Sequence, residues 1–208
     1  MAYLLLVRHG ESVWNEKGLW TGLTDIGLSK EGIQEAKHAG RAILNIPLSV
    51  GFTSSLKRAQ ETLNEIKIVC QCPLLPIHAS SALNERDYGV YTGKNKWEIE
   101  KEIGEEAFEK LRRGWDTPIP QGETLKDVYE RVVPYYTKEI LPHLKEGKNV
   151  IISAHGNSLR ALIKYLDHIP DSQIAQVEIG TGEILVYTLD SNGNVTHQEK
   201  RITNPQRV

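Results

Sequence analysis

Two cysteines, one methionine and two phenylalanines in 208 residues set the first limits on this chain. Cys70 and Cys72 stand one residue apart beside Pro73, too close for a structural disulfide, and two thiols without matching histidines are too few for a zinc site. They are expected to be reduced and structural. Long hydrophobic runs are missing as well. No apolar stretch approaches the roughly 18 residues of a membrane span, and Met1 leads into an apolar run without the charged region and cleavage site of a secretory signal. The expectation is a cytoplasmic protein with no membrane partner. An excess of either charge is also lacking: the formal net charge of −2 gives no overall basic field to draw nucleic acid, so no nucleic-acid partner is expected. No internal repeat or low-complexity segment breaks the chain, and 39% hydrophobic content over this length fits one domain spanning 1–208.

What is present begins with two histidines. Each is followed by glycine, and each ends an apolar run: Leu4-Leu5-Leu6-Val7-Arg8-His9-Gly10 and Val150-Ile151-Ile152-Ser153-Ala154-His155-Gly156. Runs of this kind suit strands covered on both faces, and side chains just past the carboxyl end of such strands face the crevice where α/β folds bind ligands. Two imidazoles so placed in one sheet can meet over one substrate. The glycines remove a side chain where a ligand would approach the backbone.

Along the chain, Ser29 reads as the cap of a helix through Ile33, Ala36, Gly40, Ile43 and Leu44 that Pro47 stops. Val50 to Thr53 is a short strand, and Ser54 or Ser55 would cap a helix through Leu56, Ala59, Leu63 and Ile66 with Arg58 in its first turn. Leu74 to Ile77 is a third strand, followed by a polar loop, Leu83-Asn84-Glu85-Arg86-Asp87-Tyr88-Gly89. A charged helical stretch from Trp97 to Trp115 is interrupted at Gly104, and Thr124 caps a helix whose buried face is Leu125, Val128, Val132, Tyr136, Ile140 and Leu144, with a kink at Pro134. After the second histidine, a helix through Leu159, Leu162, Ile163 and Leu166 stops before Pro170. Ile184 to Leu189 is a strand of alternating character, and Asn192-Gly193 signals a hairpin that makes the last strand antiparallel. Alternating strands and helices predict an α/β/α sandwich in three layers, its sheet mostly parallel with one antiparallel strand. Residues 94–121 carry no strand signal and are expected to form a helical insertion over the loops of the site. Residues 200–208, with Lys200, Arg201 and Arg207, read as a tail that could cover the site.

Arg8, His9, Gly10, Glu11, Ser12 and Asn15 are too polar to follow a core strand for packing alone. Singly, His9 reads as a surface turn and His155 as a helix cap; together at equivalent strand ends, with Arg8 and Arg58 in reach, they read as a site. A neutral imidazole can accept a phosphoryl group. Two guanidiniums, a second and protonated imidazole, and backbone donors at a helix start near Asn157 or Ser158 would stabilise its oxygens. No metal is required. A leaving alkoxide needs a proton, and Glu85 stands in the loop after the third strand, although cations around a carboxylate lower its pKa until bound phosphate neutralises them.

Arg8-His9-Gly10-Glu11-Ser12, Ser55-x-x-Arg58-Ala59, Leu83-Asn84-Glu85-Arg86 and the distant His155-Gly156 resemble the histidine phosphatase superfamily, and within it the cofactor-dependent phosphoglycerate mutases. Val13-Trp14-Asn15, Trp20-Thr21-Gly22, Gly93-Lys94-Asn95-Lys96, Arg112-Arg113 and Ala154-His155-Gly156-Asn157-Ser158-Leu159-Arg160 extend the likeness from Leu4 to Leu189. The resemblance implies that His9 is phosphorylated, that Arg8, Arg58 and His155 complete the phosphate pocket, and that Glu85 moves the proton. It implies substrate contacts from Asn15, Thr21, Gly22, Tyr88, Gly156 and Asn157. It further implies interconversion of 3-phosphoglycerate and 2-phosphoglycerate primed by 2,3-bisphosphoglycerate, without a metal, and a homodimer.

A phosphatase needs one phosphate pocket and access for water, whereas a mutase must retain a bisphosphate with a carboxylate. Arg86, Lys96, Arg112 and Arg113 are the additional cations expected to do this. Two readings stand beside the mutase: a phosphomonoester phosphatase using the same histidine, and a silent module that binds a phospho-ligand. Asp87, where well-known members often carry histidine, and a Trp115 to Glu123 connection shorter than in the longer members would favour leakage to water.

Overall fold

A computed structural model describes residues 1–201. In chain order these form β1 (Ala2–Arg8), α1 (Val13–Glu16), α2 (Lys30–Ala42), β2 (Val50–Thr53), α3 (Lys57–Val69), β3 (Ile77–Ala79), α4 (Lys96–Ile103), α5 (Glu105–Arg113), α6 (Leu125–Tyr135), α7 (Leu141–Lys145), β4 (Val150–Ala154), α8 (Gly156–Leu166), β5 (Ile184–Leu189) and β6 (Val195–Arg201). The strands make one sheet in the order β3-β2-β4-β1-β5-β6. β3, β2, β4 and β1 pair in parallel, while β5 pairs antiparallel with both β1 and β6. The single reversed strand is therefore β5, and the last strand is antiparallel to β5 while running in the direction of the other four.

Side chains alternate across the pleat, so each strand feeds both faces. Leu4, Leu6, Phe52 and Ile152 pack with Val128, Val132, Leu159 and Leu162 of α6 and α8. Leu5, Val7 and Ile151 pack on the opposite face with Ala39, Ile43, Leu63 and Ile66, carried by or next to α2 and α3. These two apolar layers confirm the three-layer α/β/α sandwich. They also correct the alternation expected for β5: Ile184 and Val186 lie in one layer and Leu185, Tyr187 and Leu189 in the other, so the strand is buried on both faces.

Local signals hold where the backbone has an unpaired group to satisfy. Ser29 Oγ accepts the Gly32 N–H, and Thr124 shares a reciprocal capping box with Asp127, because the first N–H groups of a helix have no partner within it. The predicted face from Leu125 to Leu144 is buried throughout. Pro134 lies inside α6, and a π-helical turn over Tyr136–Ile140 follows it, as expected where proline removes a donor.

Three expectations need correction. α2 ends at Ala42, well before Pro47. The third strand is Ile77–Ala79 rather than 74–77, because Leu74 is 93% exposed and Leu75 turns into the core ahead of the pairing with β2. Neither Ser54 nor Ser55 caps α3: its N-cap is Leu56 without a side-chain bond, Ser55 Oγ donates to Asn84 Oδ1, and Ser54 Oγ accepts the Leu56 N–H beside His155. The expected tail begins inside the sheet. Lys200 and Arg201 end β6, where Lys200 pairs with Glu183 and Arg201 donates to Ala42 O and Asn45 Oδ1. A covering role for 202–208, including Arg207, lies outside the described residues. Among the described residues no helix is long and apolar enough to cross a membrane, and Cys70 and Cys72 are free thiols packed at the edge of the α2/α3 layer.

Candidate active site

The register of the two central strands places the histidines. β1 and β4 pair in parallel with Arg8 opposite Ala154, so His9 and His155 come next at equivalent positions, tied by the His9 N–H to Ala154 O at 2.9 Å. Their ring centroids are 4.9 Å apart, edge to face. His9 Nδ1 lies 2.7 Å from Gly10 O. A carbonyl can only accept, so Nδ1 carries the proton and Nε2 keeps its lone pair. Burial, reinforced by Arg58 and Arg8, holds the His9 pKa well below that of free histidine, so the ring is neutral and nucleophilic.

Without a ligand, the second imidazole is held neutral for the same reason. His155 is fully buried with Nε2 2.7 Å from Ser54 Oγ, and burial followed by Arg58, His9 and Arg8 holds its pKa well down. Without an anion to offset three cationic or titrating neighbours, a proton on this ring is unfavourable.

Arg58 is 1% exposed in the first turn of α3, where Nη1 donates to Thr24 O and Nη2 to Gly22 O. Burial lowers its pKa. Arg8 Nη1 donates to Ile179 O, while the Nε atoms of Arg8 and Arg58 are buried without a partner among the described residues. A buried guanidinium and a half-buried one, each with a donor to spare, fit a phosphoryl dianion beside a neutral imidazole. Thr62 ties the backbone of Arg58 to the residue after the nucleophile by accepting the Gly10 N–H and donating to Arg58 O.

Glu85 is 8% exposed, and its Oε1 accepts from the Arg86 N–H, the Asn157 N–H and Asn157 Nδ2. Asn157 Nδ2 also reaches Tyr88 Oη at 2.9 Å. With Oε1 held, Oε2 is the oxygen available to a proton. A Cβ built on Gly156 would stand 3.8 Å from that oxygen and from Arg8 Cζ, so the bare glycine keeps open the approach between them. Gly10 has a different reason: a Cβ there would meet Gly32 O at 2.2 Å, so this glycine serves the packing of α2 and not a ligand.

Two adjoining cavities hold most of the sequence-predicted residues. Arg8, Glu85, Tyr88 and Lys96 line both; His9, Asn15, Thr21, Gly22 and Arg58 line the inner one; Arg112, Arg113, Gly156 and Asn157 line the outer one. Within residues 94–121, Ile99 of α4, Phe108 and Leu111 of α5, and Ile119 pack with Trp20, and Lys96, Arg112 and Arg113 reach the cavity linings. Burial next to Arg8 and Arg112 pushes the Lys96 ammonium down to about 8. Arg112 pairs with Glu109, and Arg113 with Glu109 and Glu178, so an incoming anion must compete with these carboxylates.

Arg86 stands apart. It is fully buried, lines neither cavity, stacks 4.7 Å from the Tyr88 ring, and donates to Leu111 O and Arg112 O at the end of α5. Its place is that of a brace for the helix carrying Arg112 and Arg113, in contrast to the expected substrate cation. Asp87 also lies off the lining, its carboxylate accepting the Gly89 N–H. The short connection is packed: Ile119 is buried and Glu123 holds both Arg131 and the Asp87 N–H.

Sequence reasoning misses Arg160, Trp20 and Ser54. Arg160 lines the outer cavity and donates to Asn157 Oδ1, which turns the Asn157 amide N–H groups toward Glu85 and Tyr88, and to Arg113 O, Ile174 O and Val177 O. The signal for it is an arginine three residues after Asn157, set among the apolar Leu159, Ala161, Leu162 and Ile163.

Comparison with known proteins agrees with this geometry. A family model for the histidine phosphatase superfamily (branch 1) matches residues 4–200. The chain is 45% identical over 201 residues to a 2,3-bisphosphoglycerate-dependent phosphoglycerate mutase of Parvibaculum lavamentivorans, covering 96% of each protein. It is 47% identical over 198 residues to one from Chelativorans, covering 94% of this chain and 96% of the relative. Among solved structures, Bacillus stearothermophilus YhfR superposes with a TM-score of 0.82 at 27% identity, covering 94% of this chain and 95% of that one. With two strand-end histidines over one cationic pocket and a family match along nearly all of its length, the chain belongs to the histidine phosphatase superfamily, branch 1.

Proposed function

We propose that this protein interconverts 3-phosphoglycerate and 2-phosphoglycerate through a phosphoryl group carried on His9, primed by 2,3-bisphosphoglycerate. The observation that carries the reading is a neutral His9, fixed with Nε2 as nucleophile, at the foot of a pocket that adds Lys96, Arg112 and Arg113 to the phosphate-binding Arg8 and Arg58. Relatives at 41–47% identity bearing the mutase name support the same substrate class.

In each turnover phospho-His9 gives its phosphoryl group to the free hydroxyl of the bound monophosphoglycerate, the N–P bond breaking as the new P–O bond forms, and Glu85 Oε2 takes the hydroxyl proton. Arg8 and Arg58 line the pocket around the transferred group, and His155 stands behind the lining with its ring against that of His9. Burial is the first cause that holds His155 neutral; a bound anion offsets the second, the neighbouring cations, and so favours a proton on this ring. The bisphosphate so formed turns, the Nε2 lone pair re-forms the N–P bond with its other phosphoryl group as that ester P–O bond breaks, and the departing oxygen takes the proton back from Glu85. Lys96, Arg112 and Arg113 hold the second phosphate or the carboxylate while the ligand turns. No step calls for a metal.

The test is a metal-free assay on 3-phosphoglycerate, with and without trace 2,3-bisphosphoglycerate, following 2-phosphoglycerate and inorganic phosphate together. Primer-dependent isomerisation with little phosphate release is expected. Release of phosphate without isomerisation would replace the mutase by a phosphatase on the same histidine.

The Lys96 ammonium, held at about 8, gives this site a pH dependence. Below that pH Lys96 is charged and attracts the ligand; above it the charge is lost, so kcat/KM for phosphoglycerate falls as pH rises through about 8. Lys96→Arg, which keeps its charge, is expected to remove that alkaline limb. An unchanged limb in the variant would assign it to another group.

A further inference from the structure

The peptide group between Gly10 and Glu11 joins the nucleophile to a buried acid on α2. Its carbonyl, Gly10 O, accepts the His9 Nδ1–H at 2.7 Å; its N–H, that of Glu11, donates to Glu35 Oε2 at 2.7 Å. Glu35 is 2% exposed, and its other oxygen accepts the Thr181 hydroxyl at 2.9 Å. Nothing in the proposed reaction requires a carboxylate there, and a buried carboxylate is costly unless it is well bonded. We propose that Glu35 is a positioning residue for His9, acting through the Gly10–Glu11 peptide group as a carboxylate–peptide–histidine relay.

A carboxylate on the N–H side of an amide draws density toward the carbonyl oxygen and makes it a better acceptor, since hydrogen bonds in series polarise one another. The effect at His9 has two parts. In the resting protein it holds the proton on Nδ1 and the lone pair on Nε2. As the N–P bond forms, the ring becomes positively charged, and the strengthened Nδ1–H bond stabilises that charge. Glu35 also ties the His9 loop to Thr181, in the segment whose Ile179 O receives Arg8 and whose Gly182 N–H donates to Arg8 O. The two residues that approach the phosphoryl group from β1 are thereby held from one anchor. Placement in the middle of α2, 24 residues from Glu11, is why no sequence pattern suggests it.

This inference rests on His9 as the phosphoryl acceptor, and the experiment separates the two. The decisive variant is Glu35→Gln, whose amide can accept from Glu11 N–H and donate to Thr181 Oγ1, keeping the geometry while removing the charge. Label uptake from 2,3-bisphosphoglycerate is measured in the whole protein by rapid quench, alongside the NMR shifts of His9 Nδ1–H and Nε2. Phosphorylation is expected to slow about tenfold in Glu35→Gln and up to about 100-fold in Glu35→Ala, the range seen when groups orienting a functional histidine are removed. The Nδ1–H resonance should move upfield in both. A purely structural Glu35 would leave rate and shift unchanged in Glu35→Gln, and that result would overturn the relay. If wild-type protein takes up no label, the nucleophile assignment fails while the Nδ1–H shift still decides the relay; if Glu35→Ala does not fold, Glu35→Gln decides alone.

Discussion

His9→Ala is expected to abolish uptake of acid-labile phosphate and to lower turnover by on the order of 10⁴–10⁶-fold, the scale found when the nucleophile of a concerted site is deleted. Nε2 of His9 is the one nitrogen of the histidine pair whose lone pair is fixed by the structure, because Nδ1 is committed to Gly10 O. His155 cannot substitute, since its Nε2 is engaged by Ser54 Oγ and the ring is fully buried behind the cavity lining. Loss of a 3% exposed ring also leaves a cavity, so the variant's denaturant midpoint should be compared with that of His9→Asn, which refills part of the space. Quench-flow with labelled 2,3-bisphosphoglycerate gives the answer: label retained at the wild-type rate in either variant would move the nucleophile elsewhere.

Glu85→Gln tests the proton. The amide oxygen can take the place of Oε1 under its three N–H donors, so the loop should stay in place, but an amide can neither give nor accept the proton of the leaving oxygen. Turnover should drop about 10²–10⁴-fold, the usual contribution of a positioned general acid–base, with KM little changed. Phosphohistidine should still form, slowly, and persist long enough to isolate. The idea fails if kcat is within twofold of wild type. It fails equally if all of the effect appears in KM, because Glu85 would then be a binding group.

The residues that chemistry demands are legible in the sequence because their positions are set by the strands. Leu4 to Val7 and Val150 to Ala154 announce themselves by unbroken apolarity, and the residues after each are too polar to be core. Arg58 is placed by counting into α3 from a strand that the sequence marks at Val50 to Thr53. The polar residues that hold these groups in place are less visible. Ser54 reads as a cap, since serine before a helix usually is one; here its hydroxyl also meets a histidine 101 residues away, and only the parallel pairing of β2 with β4 brings them together. Arg86 reads as a ligand cation because its neighbour Glu85 faces the pocket, yet its guanidinium turns to the carbonyls that end α5. Charge and spacing reveal that a cation is present. Whether it meets a substrate or a helix end is decided by tertiary packing. The alternation expected for β5 fails for a related reason, because which strand lies interior depends on sheet order, and β6 covers its far edge.

The parallel register of β1 and β4 behaves as a vernier. Each histidine is the first residue past its strand, and the pair meets because Arg8 is level with Ala154; inserting or deleting one residue in either strand would send an imidazole to the opposite face of the sheet. The Trp115 to Glu123 connection has no such role in alignment, and none of its residues lines either cavity. A change of length there leaves the reacting nitrogens level, because the pairing of β1 with β4 is set without it. Length is fixed most strictly where the chemistry sits, in the two strands whose last residues stand level.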